Sequence, residues 1–164
     1  MEIIVTSGFG RGKTLLSAFD RALQICGVYN YNLITLSSII PKGSKITKVN
    51  RYKPQKEEYG YKLYAVKWDV RSREAGKVIA AGLGWYQTDD GSGVFVEHDA
   101  SGYNLKRVEK EIMGKIDRSV RDLCTFRNIP FEKPRMNYSI AIGKVQKEPS
   151  CALAIAAFKV ESWE

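Results

Sequence analysis

The chain contains 164 residues, of which 44% are hydrophobic and 27% are charged, and 26 bases against 18 acids give it a net charge of +8. This length and composition predict a single globular domain over residues 1–164 and exclude a disordered or collagen-like protein. The longest apolar run, residues 151–158, is far shorter than the roughly 20 residues of a membrane-spanning helix, and the N-terminal segment lacks the pattern of a signal peptide.

The N-terminal part predicts a strand, a turn, a helix and a second strand. Residues 3–5 favour a short strand that leads into a glycine-rich turn at residues 7–12. A helix is expected over residues 13–26, where apolar side chains recur at helical spacing before a glycine that suits a C-terminal stop: Leu15, Phe19, Leu23, Cys26 and Gly27. Residues 32–40 favour a strand, and a turn is expected at Pro41.

The rest of the chain predicts strands around one long helix. Strands are expected over residues 61–71, 78–83, 94–99, 138–145 and 152–160. The helix between them is the clearest element, because its apolar residues fall on one face: Leu105, Val108, Ile112, Ile116, Val120 and Leu123. Since helices and strands do not alternate regularly, we expect an α+β fold in which two helices pack on a largely antiparallel sheet.

Cysteine and histidine usage bears on the compartment and on metal binding. The three cysteines, Cys26, Cys124 and Cys151, are an odd number and lie far apart in the sequence, which favours reduced thiols in a cytoplasmic protein. His98 is the single histidine and there is no Cys-x-x-Cys pair, so no built-in metal site is expected.

The segment Gly8 to Thr14 nearly matches the phosphate-binding loop Gly-x-x-x-x-Gly-Lys-Thr. The match fails because Ser7 stands where the first glycine belongs, and the glycines also lack the spacing of the dinucleotide fingerprint. A small nucleotide-binding protein is therefore an alternative to a glycine turn that lets the backbone pass close to a neighbouring element.

Six bases lie between Lys42 and Lys56, with Tyr52 among them and Tyr59 and Tyr61 close by. Basic side chains beside stacking aromatic rings are typical of proteins that bind single-stranded nucleic acid. Charge runs are more often solvated, flexible connections, so both interpretations of this basic stretch stay open. No helix-turn-helix, zinc finger or RNA-recognition motif accompanies it.

The segment Asn30 to Pro41 contains the pattern Asn-Leu-Ile, two residues, Ser-Ser, two apolar residues and Pro. This pattern resembles the processing segment of the pyruvoyl-dependent arginine decarboxylases. The resemblance continues over most of the chain, through Gly12-Lys13-Thr14, Ala18-Phe19-Asp20, Ala22-Leu23, Gly27, Ala80-Ala81-Gly82, Val96-Glu97 and the alanine-rich residues 151–158. It implies an αββα sandwich that assembles as a trimer or a dimer of trimers, with active sites at subunit interfaces.

The resemblance also implies a cofactor that the chain makes from itself. The Ser38 hydroxyl would attack the carbonyl carbon of Ser37, and cleavage would leave a β chain of residues 1–37 and an α chain beginning with a pyruvoyl group at position 38. The pyruvoyl carbonyl would form a Schiff base with L-arginine and accept the electron pair left by carbon dioxide, which yields agmatine. Neither pyridoxal phosphate nor a metal is expected. Such cleavage calls for a strained, exposed turn with hydrogen-bond donors near the developing oxyanion.

Several further residues match positions of the family's site. Glu97 would donate the proton to the α-carbon after decarboxylation, and Asn32 would supply a donor or orient the substrate. Asp20 would bind the guanidinium group with paired, charge-assisted hydrogen bonds. Leu23 and Ile39 would line the methylene chain of the substrate, although core packing is the other interpretation of both.

The predicted function is thus a self-processing decarboxylase of L-arginine, with no membrane or nucleic-acid partner expected. The nearest alternative is a pyruvoyl-dependent decarboxylase of another amino acid, histidine, which also processes between two serines. A basic nucleic-acid-binding module is the alternative from a different class. The strand residues Phe95, Glu97 and Asp99 are expected to share one face, and His98 would lie on the other, next to Glu97 in sequence.

Overall fold

The computed structural model describes residues 1–164 and contains nine strands and two long helices. In chain order the elements are β1 (Glu2–Arg11), α1 (Leu15–Cys26), β2 (Asn32–Thr35), β3 (Ile39–Ile40), β4 (Lys45–Lys48), β5 (Lys62–Ser72), β6 (Val78–Gln87), β7 (Gly93–Gly102), α2 (Leu105–Phe126), β8 (Asn137–Lys144) and β9 (Ser150–Glu161). Short 3-10 turns lie at Lys56–Glu58 and Lys133–Arg135. Neither helix has the length and apolar character needed to cross a membrane.

The strands form two sheets that pack face to face. Sheet A has the order β2-β5-β9-β1-β4 and sheet B has the order β3-β7-β6-β8. All pairs are antiparallel except β1 with β4 and β2 with β5. Helix α1 packs on sheet A and α2 packs on sheet B. The predicted α+β fold, an αββα sandwich of largely antiparallel sheet, is confirmed.

Three apolar layers hold the sandwich together. Ile3, Val5, Leu83 and Phe95 belong to the cluster between the sheets, and each is fully buried. Ala18, Ala22 and Cys26 bury one face of α1 against sheet A. The predicted apolar face of α2 is buried against sheet B through Val108, Ile112, Ile116 and Val120, together with Cys124. These layers explain why the helical spacing in the sequence located both helices correctly.

The ends of α1 follow from its sequence. The Thr14 side chain accepts a hydrogen bond from the backbone N–H of Ser17, and the Ser17 side chain bonds back to the Thr14 backbone as a capping box. Gly27 ends the helix with φ of 86°, in the left-handed region that a residue without Cβ adopts at little cost. The predicted C-terminal stop at this glycine is confirmed.

The predicted glycine turn at residues 7–12 is wrong, because this segment continues β1 as far as Arg11. The glycines serve the packing of α1 on the strand. A Cβ atom on Gly10 would lie 2.4 Å from the backbone nitrogen of Ala22, so the helix backbone approaches the strand more closely than any side chain permits. The segment is therefore not a phosphate-cradling loop, and the near match to one is explained by close packing.

The basic stretch is more ordered than a flexible connection. Residues Lys45–Lys48 form β4, the parallel partner of β1 at the edge of sheet A. Lys48 donates a hydrogen bond to the Tyr138 carbonyl at 3.0 Å, and the ring of Tyr52 packs edge-on against Tyr31 with centroids 6.0 Å apart. Part of the basic stretch therefore belongs to sheet A, and one of its tyrosines packs against another element of the fold.

The strand predicted over residues 32–40 is divided between the two sheets. Strand β2 pairs with β5 in sheet A, whereas β3 pairs with β7 in sheet B. The intervening residues, Leu36, Ser37 and Ser38, cross from one sheet to the other at the edge of the sandwich. This crossing places the serine pair where the two sheets meet.

Candidate active site

The serine pair at the crossing lies next to the glutamate that the sequence singled out. The hydroxyl of Ser38 donates a hydrogen bond to the Glu97 carboxylate, although 59 residues separate the two in the chain. Glu97 and Ser38 are both half-buried, while Ser37 is exposed. One carboxylate thus holds the hydroxyl of Ser38 in a partly desolvated position.

Backbone hydrogen bonds fix the chain on both sides of Ser38. The N–H of Phe95 donates to the Ser38 carbonyl at 2.8 Å, and the N–H of Ile39 donates to the Ser37 carbonyl at 2.8 Å. The second bond joins residues two apart and closes a γ-turn centred on Ser38. The peptide bonds are trans and φ of Ser38 is not positive, so this is the low-energy inverse form. Ser37 and Ile39 in this turn are exposed, as expected, while Ser38 is half-buried, and the expected backbone strain is not found there.

Strand β7 positions Glu97 toward the space between the sheets. Phe95 is fully buried in the cluster between the sheets, and its ring packs on Trp85 and Phe158 at centroid distances of 5.9 Å. Since side chains two apart on a strand share a face, Glu97 projects on the same side as Phe95, as predicted. The carboxylate therefore has an apolar layer on one side and the edge of the sandwich on the other.

A tryptophan and an aspartate form a hydrogen-bonded pair along the same edge. The indole Nε1–H of Trp68 on β5 donates to Asp99 Oδ2 at 2.8 Å, which joins sheet A to sheet B. Asp99 shares the strand face of Glu97, and its backbone carbonyl accepts a hydrogen bond from Lys115 at 2.8 Å. Trp68 is 43% exposed. Sequence patterns do not reveal this pair, because its partners lie 31 residues apart on strands of different sheets.

His98 lies on the opposite face of β7 from Glu97, as predicted, between the strand and helix α2. Its Nε2 is 2.7 Å from the Ser119 hydroxyl. The groups around it are Lys115 and Arg118 on α2 and the neighbouring carboxylates Asp99 and Glu97. Burial, and then the positive charge of Lys115, lower the pKa of His98 from its ordinary value of 6.5. The neutral imidazole is thus the form that the folded chain favours.

This lowered pKa predicts an acid-sensitive contribution to stability. Because the unfolded chain binds the His98 proton more readily, the contribution is complete above pH 6.5, the ordinary pKa, and is lost as the pH falls below it. Urea unfolding of the wild type and of His98→Gln at pH 5 and pH 8 checks this. We expect the wild type to lose stability relative to the variant at pH 5; equal differences at the two pH values would contradict it.

The chain does not bring every predicted site residue to Ser38. Ile39 follows Ser38 directly and is 49% exposed, so its side chain is open to a ligand. Asn32 lies at the other end of β2, where its side-chain amide donates to the Gly60 carbonyl at 2.7 Å. Asp20 and Leu23 are on α1, which packs on β1, β5 and β9 of sheet A.

Asp20 and Leu23 differ in their surroundings. Asp20 is exposed and lines a surface cleft together with polar and basic residues: Arg11, Gly12, Lys13, Thr14, Ser17, Arg21, Gln24 and Tyr29. Leu23 is only 7% exposed and packs in the cluster between α1 and sheet A. Within one chain, Asp20 is available to a ligand or a neighbouring molecule, whereas Leu23 contributes to the core.

The αββα sandwich and the serine pair beside a glutamate agree with what the sequence resemblance to pyruvoyl-dependent decarboxylases predicted. The family model described as pyruvoyl-dependent arginine decarboxylase matches residues 2–162. The chain belongs to this family. The family match covers both helices and all nine strands, including the crossing segment.

Individual relatives are similar over part of the chain. The pyruvoyl-dependent arginine decarboxylase of Thermoplasma volcanium is 36% identical over 108 residues, which are 64% of this chain and 58% of that protein. The one from Pyrococcus furiosus is 33% identical over 70% of each chain. The one from Methanothermobacter thermautotrophicus is 29% identical over 71% of this chain and 73% of that protein.

Proposed function

We propose that the protein cleaves itself between Ser37 and Ser38 and then decarboxylates L-arginine to agmatine and carbon dioxide. The observation that carries the proposal is the hydrogen bond from the Ser38 hydroxyl to Glu97 at the crossing between the sheets. Family membership and the named activity of the relatives support the arginine substrate. The proposed cofactor is a pyruvoyl group derived from Ser38.

The proposed cleavage joins the Ser38 side chain to the carbonyl carbon of the residue directly before it. Oγ of Ser38 bonds to the carbonyl carbon of Ser37, the bond from that carbon to the Ser38 nitrogen breaks, and the hydroxyl proton ends on the nitrogen. The product is an ester with a free amine. Loss of the Ser38 α-proton and of Ser37 as a carboxylate gives dehydroalanine, which tautomerises to an imine. Water hydrolyses the imine, releasing ammonia and leaving the pyruvoyl group at position 38.

The fold can tolerate this break. The proposed β chain, residues 1–37, contains β1, α1 and β2, all of which belong to or pack on sheet A. Strand β1 lies between β9 and β4 and makes eight residue pairs with β9, so the β chain keeps its pairing without the covalent link. The α chain, residues 38–164, begins at the turn before β3. It contains all four strands of sheet B and the other three strands of sheet A. Cleavage therefore cuts a connection at the edge and leaves both sheets intact.

Turnover requires an electron acceptor and a proton donor at the same place. The pyruvoyl carbonyl at position 38 supplies the electron acceptor for the departing carbon dioxide. Glu97 lies within hydrogen-bonding distance of the side chain from which that group is made, and its carboxyl delivers the proton to the α-carbon of the substrate. Ile39, exposed beside it, contacts the methylene chain.

Recognition of the guanidinium group is proposed to come from a second copy of the chain. Asp20 and Asn32 are away from Ser38 in the same chain, yet both are exposed and can face a neighbouring subunit. A trimer, alone or paired with another trimer, would place Asp20 of one copy against the Ser38 and Glu97 of the next. A local carboxylate is needed because the chain carries a net charge of +8 and attracts no cationic substrate at long range.

Intact mass measurement combined with an activity assay tests the proposal. We expect two fragments divided after Ser37, the larger without a free N-terminal amine, and carbon dioxide released from L-arginine. A single uncleaved chain with an ordinary serine at position 38 would contradict the proposal. Release from L-histidine but not from L-arginine would support the alternative substrate. Salt-dependent oligonucleotide binding by an uncleaved chain would favour the nucleic-acid alternative.

A further inference from the structure

The backbone N–H of Ile39 is free of the sheet although its residue belongs to a strand. In the antiparallel pairing of β3 with β7, Ile39 lies opposite Val94 and Ile40 lies opposite Gly93. Next to the pair of Ile39 and Val94, the Phe95 N–H donates a hydrogen bond to the Ser38 carbonyl. Ile39 and Val94 are therefore a non-hydrogen-bonded pair, and the N–H of Ile39 points away from β7.

This N–H is instead directed at the peptide that would be cleaved. It donates to the carbonyl oxygen of Ser37 at 2.8 Å, and this is the one hydrogen bond that the oxygen accepts from the described chain. The Asn32 amide, which the sequence suggested as a donor, is bonded to the Gly60 carbonyl at the far end of β2. Within one chain, the backbone and not the asparagine polarises the Ser37 carbonyl.

We propose that the Ile39 N–H is the oxyanion donor of self-cleavage, an inference that rests on the proposed function. When Oγ of Ser38 bonds to the Ser37 carbonyl carbon, the electron pair of the carbonyl moves onto its oxygen, which already receives this hydrogen bond. The pair returns to re-form the carbonyl as the bond to the Ser38 nitrogen breaks, and the hydroxyl proton ends on that nitrogen.

Two further contacts prepare the same attack. Glu97 holds the Ser38 hydroxyl, and the Phe95 N–H holds the Ser38 carbonyl, so the nucleophile and the residue that carries it are both anchored to β7. The inverse γ-turn keeps the donor aligned with the carbonyl before any charge develops. A donor fixed in advance needs no reorganisation at the moment of reaction, which is the condition under which such bonds accelerate acyl transfer most.

Replacing the amide between Ser38 and Ile39 by an ester tests the inference. Isoleucine at position 39 is exchanged for its α-hydroxy acid during cell-free synthesis, which removes the N–H and keeps the side chain. Intact mass then follows cleavage after Ser37, and hydrolysis of the introduced ester is distinguished because it cuts after Ser38. We expect cleavage after Ser37 to slow by about 10²- to 10³-fold, the usual effect of losing one oxyanion donor.

The control variants separate the inference from the proposed function. The same amide-to-ester exchange at Leu16, an exposed residue of α1 with no role in the site, is the Leu16 control and should cleave at the wild-type rate. Thermal unfolding of the ester variant in a Ser38→Ala background, compared with Ser38→Ala alone, shows whether the fold is retained. If the wild type and the Leu16 control cleave and the folded Ile39 ester variant cleaves equally fast, the Ile39 donor is refuted and the proposed function stands. If none of them cleaves, the proposed function itself fails.

Discussion

Replacing Ser38 by alanine is expected to leave one uncut chain of 164 residues and to abolish decarboxylation. The variant lacks the hydroxyl that attacks the Ser37 carbonyl. Without an ester oxygen on Cβ, no elimination can give the dehydroalanine from which the pyruvoyl group forms. Because the group supplies the central chemistry, we expect the rate with L-arginine to fall by about 10⁶-fold or more, to background. Intact mass and carbon dioxide release measure the two effects.

The fold of this variant should survive, since the Ser38 side chain makes one hydrogen bond and the backbone bonds around it are unchanged. Ser37→Ala is the matched control. Residue 37 contributes only its carbonyl to the proposed attack, so the Ser37→Ala chain should still be cut after position 37. A Ser38→Ala protein that is cut at this bond would show that another group is the nucleophile.

The parts of the fold that the sequence predicted best are those governed by local periodicity. Both helices were located from apolar spacing. Gly27 marked the end of α1 because a helix often ends on a residue with left-handed backbone angles, which glycine adopts most easily. The glycine segment of β1 was misassigned as a turn. Its glycines are needed because the backbone of α1 packs closely on the strand, and the local sequence does not show that contact. Strand β4 was missed because its edge position lets it carry the lysines of a solvated segment.

The site was predictable only in part. The sequence resemblance singled out Ser37, Ser38 and Glu97, of which the structure brings Ser38 and Glu97 into contact, and alternation along β7 correctly separated Glu97 from His98. The contact between Ser38 and Glu97 depends on the division of residues 32–40 between two sheets, and the strand-favouring pattern of this segment did not predict that division. The Ile39 donor is a backbone group, so its role depends on register and not on residue type.

Replacing Glu97 by glutamine is expected to allow self-cleavage and to lower turnover by about 10²- to 10⁴-fold, the usual contribution of a positioned acid. The amide oxygen of glutamine still accepts the hydrogen bond from the Ser38 hydroxyl, so the nucleophile stays in place. The amide cannot deliver a proton to the α-carbon of the substrate, and turnover therefore stalls after carbon dioxide leaves. Mass measurement and an agmatine assay on the same preparation separate these two steps.

Two control variants show which property of Glu97 matters in each step. Glu109→Gln changes an exposed carboxylate on α2 in the same way and should leave both cleavage and turnover near the wild-type values. Glu97→Ala removes the hydrogen-bond acceptor as well as the acid, so cleavage should slow relative to Glu97→Gln. Full turnover in a cleaved Glu97→Gln protein would show that the proton comes from another group. A Glu97→Gln chain that remained uncut would instead mean that the carboxylate must accept the Ser38 proton during cleavage.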